Sequence, residues 1–261
     1  MRIIDSPKNP LVQELRLLHS AKGRAQQGLF LVEGEHLVVE ALHFGEVDLV
    51  LFREDFPPLE GFENVRREWF SSRAFAEFST LETPPGIAAR VRIPRPTLSF
   101  QETPLLLVLE GVQDPGNVGT LIRTADAAGF SAVLLGPGCA DPYGPKTVRG
   151  TQGSLFHLPV MQGELKPLLS EWKRLHSDGI VLGADGAQGE SYLTCARRGA
   201  YALILGNEGA GLSTDARELC DALIAVPLYG KAESLSVATA GSVLMYALRE
   251  RLRRENDHLG R

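Results

Sequence analysis

The apolar positions of the first ninety residues alternate between two periods. Three leucines between residues 11 and 18 recur at helical spacing, whereas residues 29–33 and 47–52 form the short apolar runs that are typical of strands. A helical stretch over residues 34–42 separates the two runs. This order of helix, strand, helix and strand predicts a small α/β domain over residues 1–92.

The ends of the first helix carry local signals. Asn9 is a good helix cap and Pro10 is favoured at the first helical position, so the helix is expected to begin there. Gly23 is expected to end it. Further along the chain, another helix is expected to pack onto the same sheet through three phenylalanines, Phe70, Phe75 and Phe78.

Residues 93–104 interrupt this pattern with three prolines, each of which removes a backbone donor, and we interpret the segment as a linker. Over residues 105–261, continuous apolar runs then alternate with helical stretches; the runs are residues 105–109, 132–135, 180–182, 201–205 and 223–226. Strands that crossover helices bury on both faces have this pattern, which predicts an α/β domain with a mainly parallel sheet. A ligand site is then expected at the carboxyl ends of the strands.

Composition narrows the class of protein. The chain has 44% hydrophobic residues, no apolar run of about 18 residues, and no basic-then-apolar segment at its start. It is therefore expected to be soluble and cytoplasmic, without a membrane partner. Its three cysteines form no CxxC pair, so we expect neither disulfides nor a metal site.

The charge distribution allows a local contact with nucleic acid. The net charge of −5 disfavours indiscriminate polyanion binding, yet residues 1–30 carry five basic and two acidic side chains. Four of these basic residues are candidate RNA contacts: Lys8, Arg16, Lys22 and Arg24. The alternative is a solvated helix face beside a mobile terminus.

Two glycine-bearing loops each follow a predicted strand. The first loop, residues 110–120, leads into a helix that Asn117 can cap, with Arg123 near the second turn. The second loop, residues 205–213, places the carboxylate of Glu208 among glycines, which let a ligand approach the backbone closely. A surface arginine after a glycine-rich turn would explain the first loop, and a tight turn capped by its last serine would explain the second.

A third loop, residues 226–237, follows the last predicted strand and runs into a helix that begins with small residues, 238–242. Small residues allow a backbone to pack closely against a neighbour. The alternative to a ligand site is a tightly packed crossing helix.

In order and combination, the three loops resemble motifs one, two and three of the SpoU (TrmH-like) RNA methyltransferases, a family of the knotted SPOUT superfamily. The matching stretches are residues 114–119 with Arg123, residues 206–209 with 211–213, and residues 226–227 with Gly230 and residues 234–235. Two earlier stretches, residues 30–34 and 83–89, resemble the small substrate-binding domain of the family's ribosomal RNA enzymes. The resemblance thus extends over nearly the whole chain.

This resemblance implies a deep trefoil knot in the C-terminal methyltransferase domain and a homodimer formed through that domain. It also implies S-adenosyl-L-methionine as the cofactor and a ribose 2′-hydroxyl of ribosomal RNA as the methyl acceptor. DNA is not an expected partner.

The same resemblance implies which residues form the site. The catalytic candidates are Arg123, Asn117, Glu208 and Ser234. Because arginine is ordinarily never deprotonated in proteins, we interpret Arg123 as an RNA-phosphate anchor that stabilises alkoxide charge, although the family is usually assigned an arginine base. The candidate cofactor-binding residues are Ala184, Leu205, Gly206, Asn207, Gly209, Val226, Leu228, Ser234, Leu235 and Ser236. Ser236 stands where the family typically has asparagine, so an orienting role of this position is open.

Other functions also stay open on the sequence alone. An RNA-binding or assembly protein with a degenerate methyltransferase domain, the same fold acting on tRNA, and a base methyltransferase would each share these motifs. An ordinary dinucleotide site is disfavoured, because Gly111, Gly116 and Gly119 lack the spacing of a G-x-G-x-x-G turn.

Overall fold

A computed structural model describes residues 2–61, 63–96, 99–195 and 198–259. Thr97 and Leu98, in the predicted linker, lie outside the described residues. The strands are β1 (Ile3–Ile4), β2 (Leu29–Glu33), β3 (Val47–Arg53), β4 (Arg67–Phe70), β5 (Ile87–Arg92), β6 (Leu105–Leu109), β7 (Ala132–Leu135), β8 (Val160–Gln162), β9 (Ile180–Ala184), β10 (Glu190–Ser191), β11 (Tyr201–Leu205) and β12 (Ala222–Ala225). The helices are α1 (Pro10–Leu17), α2 (Ala21–Gln27), α3 (Glu35–Phe44), α4 (Ser72–Ala76), α5 (Pro115–Ala127), α6 (Pro145–Thr151), α7 (Leu165–Leu175), α8 (Thr214–Leu219) and α9 (Val237–Leu259).

The chain divides into two compact units. Unit 1 comprises Met1–Arg95 and Asp141–His157, and unit 2 comprises Pro96–Ala140 and Leu158–Arg261. The sequence predicts residues 141–157 as part of the C-terminal domain, whereas their contacts place them in unit 1. The reason is aromatic packing against β2, where the ring of Phe30 lies 5.1 Å from that of Tyr143 and 6.1 Å from that of Phe156.

Unit 1 is built on a five-stranded mixed sheet in the order β1-β4-β3-β5-β2. Strand β5 runs antiparallel to β2 and β3, and the remaining pairs are parallel. Phe70, Phe75 and Phe78 are fully buried in its core, as the sequence predicts. Asn9 caps α1 by accepting the N–H of Leu11 at 2.9 Å, which also confirms the predicted helix start.

The prediction that Gly23 ends the first helix is wrong. Gly23 lies inside α2, a second helix that Ser20 starts by accepting the Gly23 N–H at 3.0 Å and that Gly28 ends with a φ of +65°. A Cβ atom at Gly23 would lie 1.9 Å from the carbonyl oxygen of Leu17. The glycine is therefore required for close packing between two consecutive helices, which mimics an end signal in the sequence.

Unit 2 contains a seven-stranded sheet in the order β10-β12-β9-β11-β6-β7-β8, and every pair in it is parallel. The predicted parallel α/β domain is thus confirmed. Strands β6 and β11 lie in the middle and are buried along their whole length, which explains their uninterrupted apolar sequences. The trefoil knot stays a prediction.

Helix α9 packs closely against the middle of this sheet. A Cβ atom at Gly241 would lie 2.5 Å from a methyl carbon of Leu205 and 2.6 Å from one of Leu121, so a larger residue would require these leucine side chains to shift. The small residues that follow the third loop thus serve helix packing. None of the helices in the described ranges combines the length and apolar character that a membrane span requires.

Candidate active site

One edge of the unit 2 sheet brings the predicted loops together. Strands β12, β9, β11 and β6 are neighbours and parallel, so their carboxyl ends lie side by side. A cavity of about 540 Å³ opens there between the end of β9, the second loop and the third loop. The lining includes nine of the ten predicted cofactor-binding residues, namely Ala184, Leu205, Gly206, Asn207, Gly209, Val226, Leu228, Ser234 and Leu235.

Glu208 joins the second loop to the first. One of its carboxylate oxygens accepts the Asp114 N–H and the Asn117 side-chain amide, both at 3.1 Å, and the other accepts the Gln113 N–H at 3.2 Å. Burial alone would raise the pKa of Glu208, but the hydrogen bonds, led by that from Asn117, lower it on balance. The carboxylate therefore stays ionised and fully engaged at neutral pH.

Two further contacts hold the same pair of loops. The Asn207 amide donates to the carbonyl oxygen of Gly111 at 2.8 Å, while its own oxygen accepts the N–H groups of Gly209 and Ala210 at 2.9 Å. The Ser213 N–H donates to Glu110 at 3.0 Å. The first loop, which does not line the cavity, is thus fixed to the loop that does.

The structure corrects the predicted start of α5. Asp114, not Asn117, caps this helix, because its carboxylate accepts the Asn117 N–H at 2.9 Å and Pro115 occupies the first helical position. Asn117 lies in the first turn, where its side chain is free to bind Glu208. Arg123 consequently lies in the third turn of α5, not near the second.

Arg123 is exposed and does not line the cavity. Within the described ranges, no hydrogen bond or ion pair holds its guanidinium, so this group is available to a ligand. Ser234 is also exposed, but unlike Arg123 it lines the cavity.

Ser236 is the predicted cofactor residue that lies outside the cavity lining. Its hydroxyl accepts the Thr239 N–H at 3.1 Å and its carbonyl accepts the Ala240 N–H at 2.9 Å, the contacts of a residue that caps α9. Serine and asparagine are comparable caps, so the departure from the family pattern leaves the start of this helix intact.

Sequence reasoning missed the part of the lining that follows β9 and the part at the end of β12, Ile224 and Ala225. Asp185, Gly186 and Ala187 follow a buried parallel strand, as the three predicted loops do, and that position was the available signal. Arg217 and Glu233 also line the cavity. Its charged lining residues are thus three carboxylates, those of Asp185, Glu208 and Glu233, and one guanidinium.

The four predicted RNA contacts of unit 1 have different surroundings. Lys8 and Lys22 are exposed, and Arg16 is half-exposed with Glu77 at 3.2 Å. Arg24 is only 4% exposed and is a correction to the prediction. Its guanidinium donates to Asp141 and to the carbonyl oxygens of Leu18 and His19, which leaves it committed inside unit 1.

Comparison with known proteins assigns both parts of the chain. Residues 104–246 match the model of the SpoU rRNA Methylase family, and residues 9–89 match that of the MRM3-like substrate binding domain. The chain belongs to the SpoU rRNA methylase family. This membership confirms the predicted family, its S-adenosylmethionine-dependent RNA methyltransferase activity at a ribose 2′-hydroxyl, and the cofactor.

Individual family members are similar over nearly their whole length. The chain is 42% identical over 252 residues to the 23S rRNA (guanosine(2553)-2′-O)-methyltransferase RlmP of Bacillus subtilis, covering 95% of this chain and 100% of that protein. The SpoU methyltransferase AviRb of Streptomyces viridochromogenes, solved with AdoMet, has a TM-score of 0.83 at 27% identity and covers 95% of this chain and 99% of that one. An AdoMet-bound rRNA methyltransferase of Sinorhizobium meliloti has a TM-score of 0.84 at 27% identity, with 96% and 98% coverage.

Proposed function

We propose that this SpoU family enzyme methylates a ribose of 23S ribosomal RNA, with the cavity at the carboxyl edge of the unit 2 sheet as the cofactor site. The observation that carries the proposal is the attachment of the first loop, through Glu208, to the loop that lines this cavity. The full-length similarity to RlmP supports 23S rRNA as the substrate and a guanosine as the first nucleotide to test. A cytoplasmic location, as expected for a relative of this bacterial enzyme, is part of the proposal.

The cavity suits S-adenosylmethionine. A volume of about 540 Å³ lies in the range of small-molecule and cofactor sites. Apolar side chains, among them Leu205, Ile224 and Leu235, offer a surface for the adenine ring, and the glycines of the second loop expose backbone groups to polar parts of the ligand. The excess of carboxylates over guanidinium groups favours a ligand that carries positive charge.

The cofactor supplies a methyl group on a positively charged sulfur, and the chain must place a weakly nucleophilic hydroxyl beside it. Arg123 anchors an RNA phosphate and stabilises the negative charge that develops on the ribose oxygen, because its exposed guanidinium has no competing partner among the described residues. Ser234 positions the ribose at the cavity mouth. Asn117 and Glu208 hold the first loop against the second, so Glu208 acts as a positioning residue and not as a proton acceptor.

The proposed enzyme is a homodimer. Val243 and Tyr246 are 37% and 50% exposed on α9, the helix that packs against α5, and the hydroxyls of Thr124 and Ser242 lie 3.2 Å apart at that contact. Two large apolar side chains one turn apart form a face that a second copy would cover. Because α5 also carries Arg123, pairing through these helices would bring the arginine close to the interface.

Transfer of a labelled methyl group tests the proposal. The enzyme is incubated with labelled S-adenosylmethionine and with three separate substrates, unmodified 23S rRNA, 16S rRNA and bulk tRNA, and ribose methylation is then mapped by nucleotide. We expect 2′-O-methylation of one 23S rRNA nucleotide and none of the other RNAs. Label in tRNA or on a base would replace the substrate proposal, and RNA binding without any transfer would favour the assembly-protein alternative.

A further inference from the structure

The turn that follows β9 is a wall of the cofactor cavity, and an arginine links it to the second loop. Within this turn, one carboxylate oxygen of Asp185 accepts the N–H groups of Ala187 and Gln188, both at 2.8 Å. The Asp185 N–H donates to the Ile224 carbonyl oxygen at 2.9 Å, which continues the pairing of β9 with β12. The turn thus has a defined shape, but these bonds do not connect it to the second loop on the other side of the cavity.

Arg217 makes that connection. Its guanidinium donates to the second oxygen of Asp185, to the Gln188 side-chain oxygen at 3.1 Å, and to the Leu212 carbonyl oxygen at 3.4 Å. Leu212 belongs to the second loop, and Arg217 itself lies on the helix that follows this loop. All three guanidinium nitrogens are therefore engaged between two walls of one cavity.

Burial makes this contact more than a surface ion pair. The side chain of Asp185 is 7% exposed and that of Arg217 is 32% exposed. Burial would raise the pKa of Asp185, but the N–H groups of Gln188 and Ala187 and the contact with Arg217 lower it on balance. Without the arginine, a largely buried carboxylate would lose its charged partner and the turn would lose its attachment to the second loop.

We infer that Arg217 is a positioning residue that, through Asp185 and Gln188, sets the separation of the two cavity walls and thereby the affinity for S-adenosylmethionine. The inference rests on the proposed cofactor site. Arg217 does not act on the methyl group or on RNA, so its loss affects cofactor binding before it affects turnover at saturation.

The experiment measures the dissociation constant of S-adenosylmethionine by calorimetry, and KM and kcat by methyl transfer, for the parent and four variants. These are Arg217→Ala, Arg217→Lys, Asp185→Asn and the double variant Arg217→Ala/Asp185→Asn. We expect Arg217→Ala to raise Kd and the cofactor KM about tenfold, the effect of losing a charged hydrogen bond, with a much smaller change in kcat. Arg217→Lys, which keeps the charge but cannot reach three acceptors, should fall between the parent and Arg217→Ala.

The double variant tests whether Arg217 acts through Asp185. We expect it to bind the cofactor about as well as the weaker single variant, because both substitutions break the same link. The inference would be overturned if the effects of the two single substitutions on Kd multiplied in the double variant. It would also be overturned if Arg217→Ala lowered kcat and left the cofactor KM unchanged.

Arg174→Ala is the matched control, since Arg174 is exposed on α7 of the same unit and no contact of its guanidinium is seen among the described residues. The inference would also be overturned if Arg217→Ala bound the cofactor as tightly as this control does. Should Arg217→Ala fail to fold, Arg217→Lys and Asp185→Asn carry the same comparison. Failure of the parent itself to bind S-adenosylmethionine in the cavity would instead refute the proposed site.

Discussion

Replacement of Gly206 by alanine is expected to damage both unit 2 and its cofactor cavity. A Cβ atom at Gly206 would lie 2.4 Å from the carbonyl carbon and oxygen of Gly211 and 2.6 Å from the backbone nitrogen of Leu212. These neighbours are backbone atoms, which cannot rotate away as a side chain would. The backbones of Gly206 and Gly211 must separate by about 1 Å to restore an ordinary contact.

The loss in the free energy of unfolding arises from the hydrogen bonds that this separation breaks. Asn207 and Gly211 exchange two backbone hydrogen bonds of 2.9 and 3.0 Å, which close the second loop on itself. Overpacking of this kind typically costs about 1–3 kcal/mol. For a unit of this size, a loss of about 2 kcal/mol lowers Tm by about 4–8 °C. Because residues 205–211 line the cavity, the displacement is also expected to lower kcat/KM by about 100-fold.

Thermal unfolding and methyl transfer check this prediction against Gly209→Ala. Gly209 lies in the same loop, but its Cβ atom would lie 3.6 Å from the Asn207 side-chain oxygen, an ordinary contact. We expect this control to lose far less stability and activity. If the two alanine variants unfold at the same temperature and turn over at the same rate, the close backbone contact does not limit the loop and the reasoning is refuted.

Four other predictions concern the same unit. Arg123→Ala should abolish methyl transfer while cofactor affinity, measured by calorimetry, stays within about threefold; undiminished turnover would remove Arg123 from the mechanism. Hydrogen bonds lower the pKa of Glu208, so its contribution to stability is present above the pKa of the unfolded state and is lost as pH falls through the pKa of the folded state. Glu208→Gln should therefore be less stable than the parent in urea at pH 7, and the difference should narrow below pH 4.5. A difference that does not change with pH would contradict this. Asp114→Ala should cost about 1 kcal/mol and Asp114→Asn much less, because asparagine also caps a helix; equal losses in thermal melts would argue against the cap. Tyr246→Asp should convert a dimer to a monomer in sedimentation experiments, whereas an unchanged mass would place the subunit contact elsewhere.

Local sequence signals were sufficient for most elements of the fold. Strands β6 and β11 are buried on both faces, and that burial requires an unbroken apolar run that is visible in one dimension. Because parallel strands end at a common edge, the loops that follow them could be placed together without coordinates. The cavity lined by the second and third loops confirms this reasoning.

Local signals of this kind do not identify contacts between residues that are distant in the sequence. Arg24 has the sequence context of an exposed basic residue, and its burial depends on Asp141, which is 117 positions away. The glycine at 23 appeared to end a helix because its actual role, contact with the carbonyl of Leu17, requires two helices to meet.

The order of residues is enough to predict the alternation of strands and helices, the order of the three loops and the family to which those loops belong. Two other features depend on the folded chain: residues 141–157 belong to unit 1, and Arg217 bridges two walls of the cavity. Helix capping and burial within a regular element depend on neighbouring residues or on a regular period. Ion pairs and aromatic contacts between distant segments depend instead on where the folded chain brings those segments.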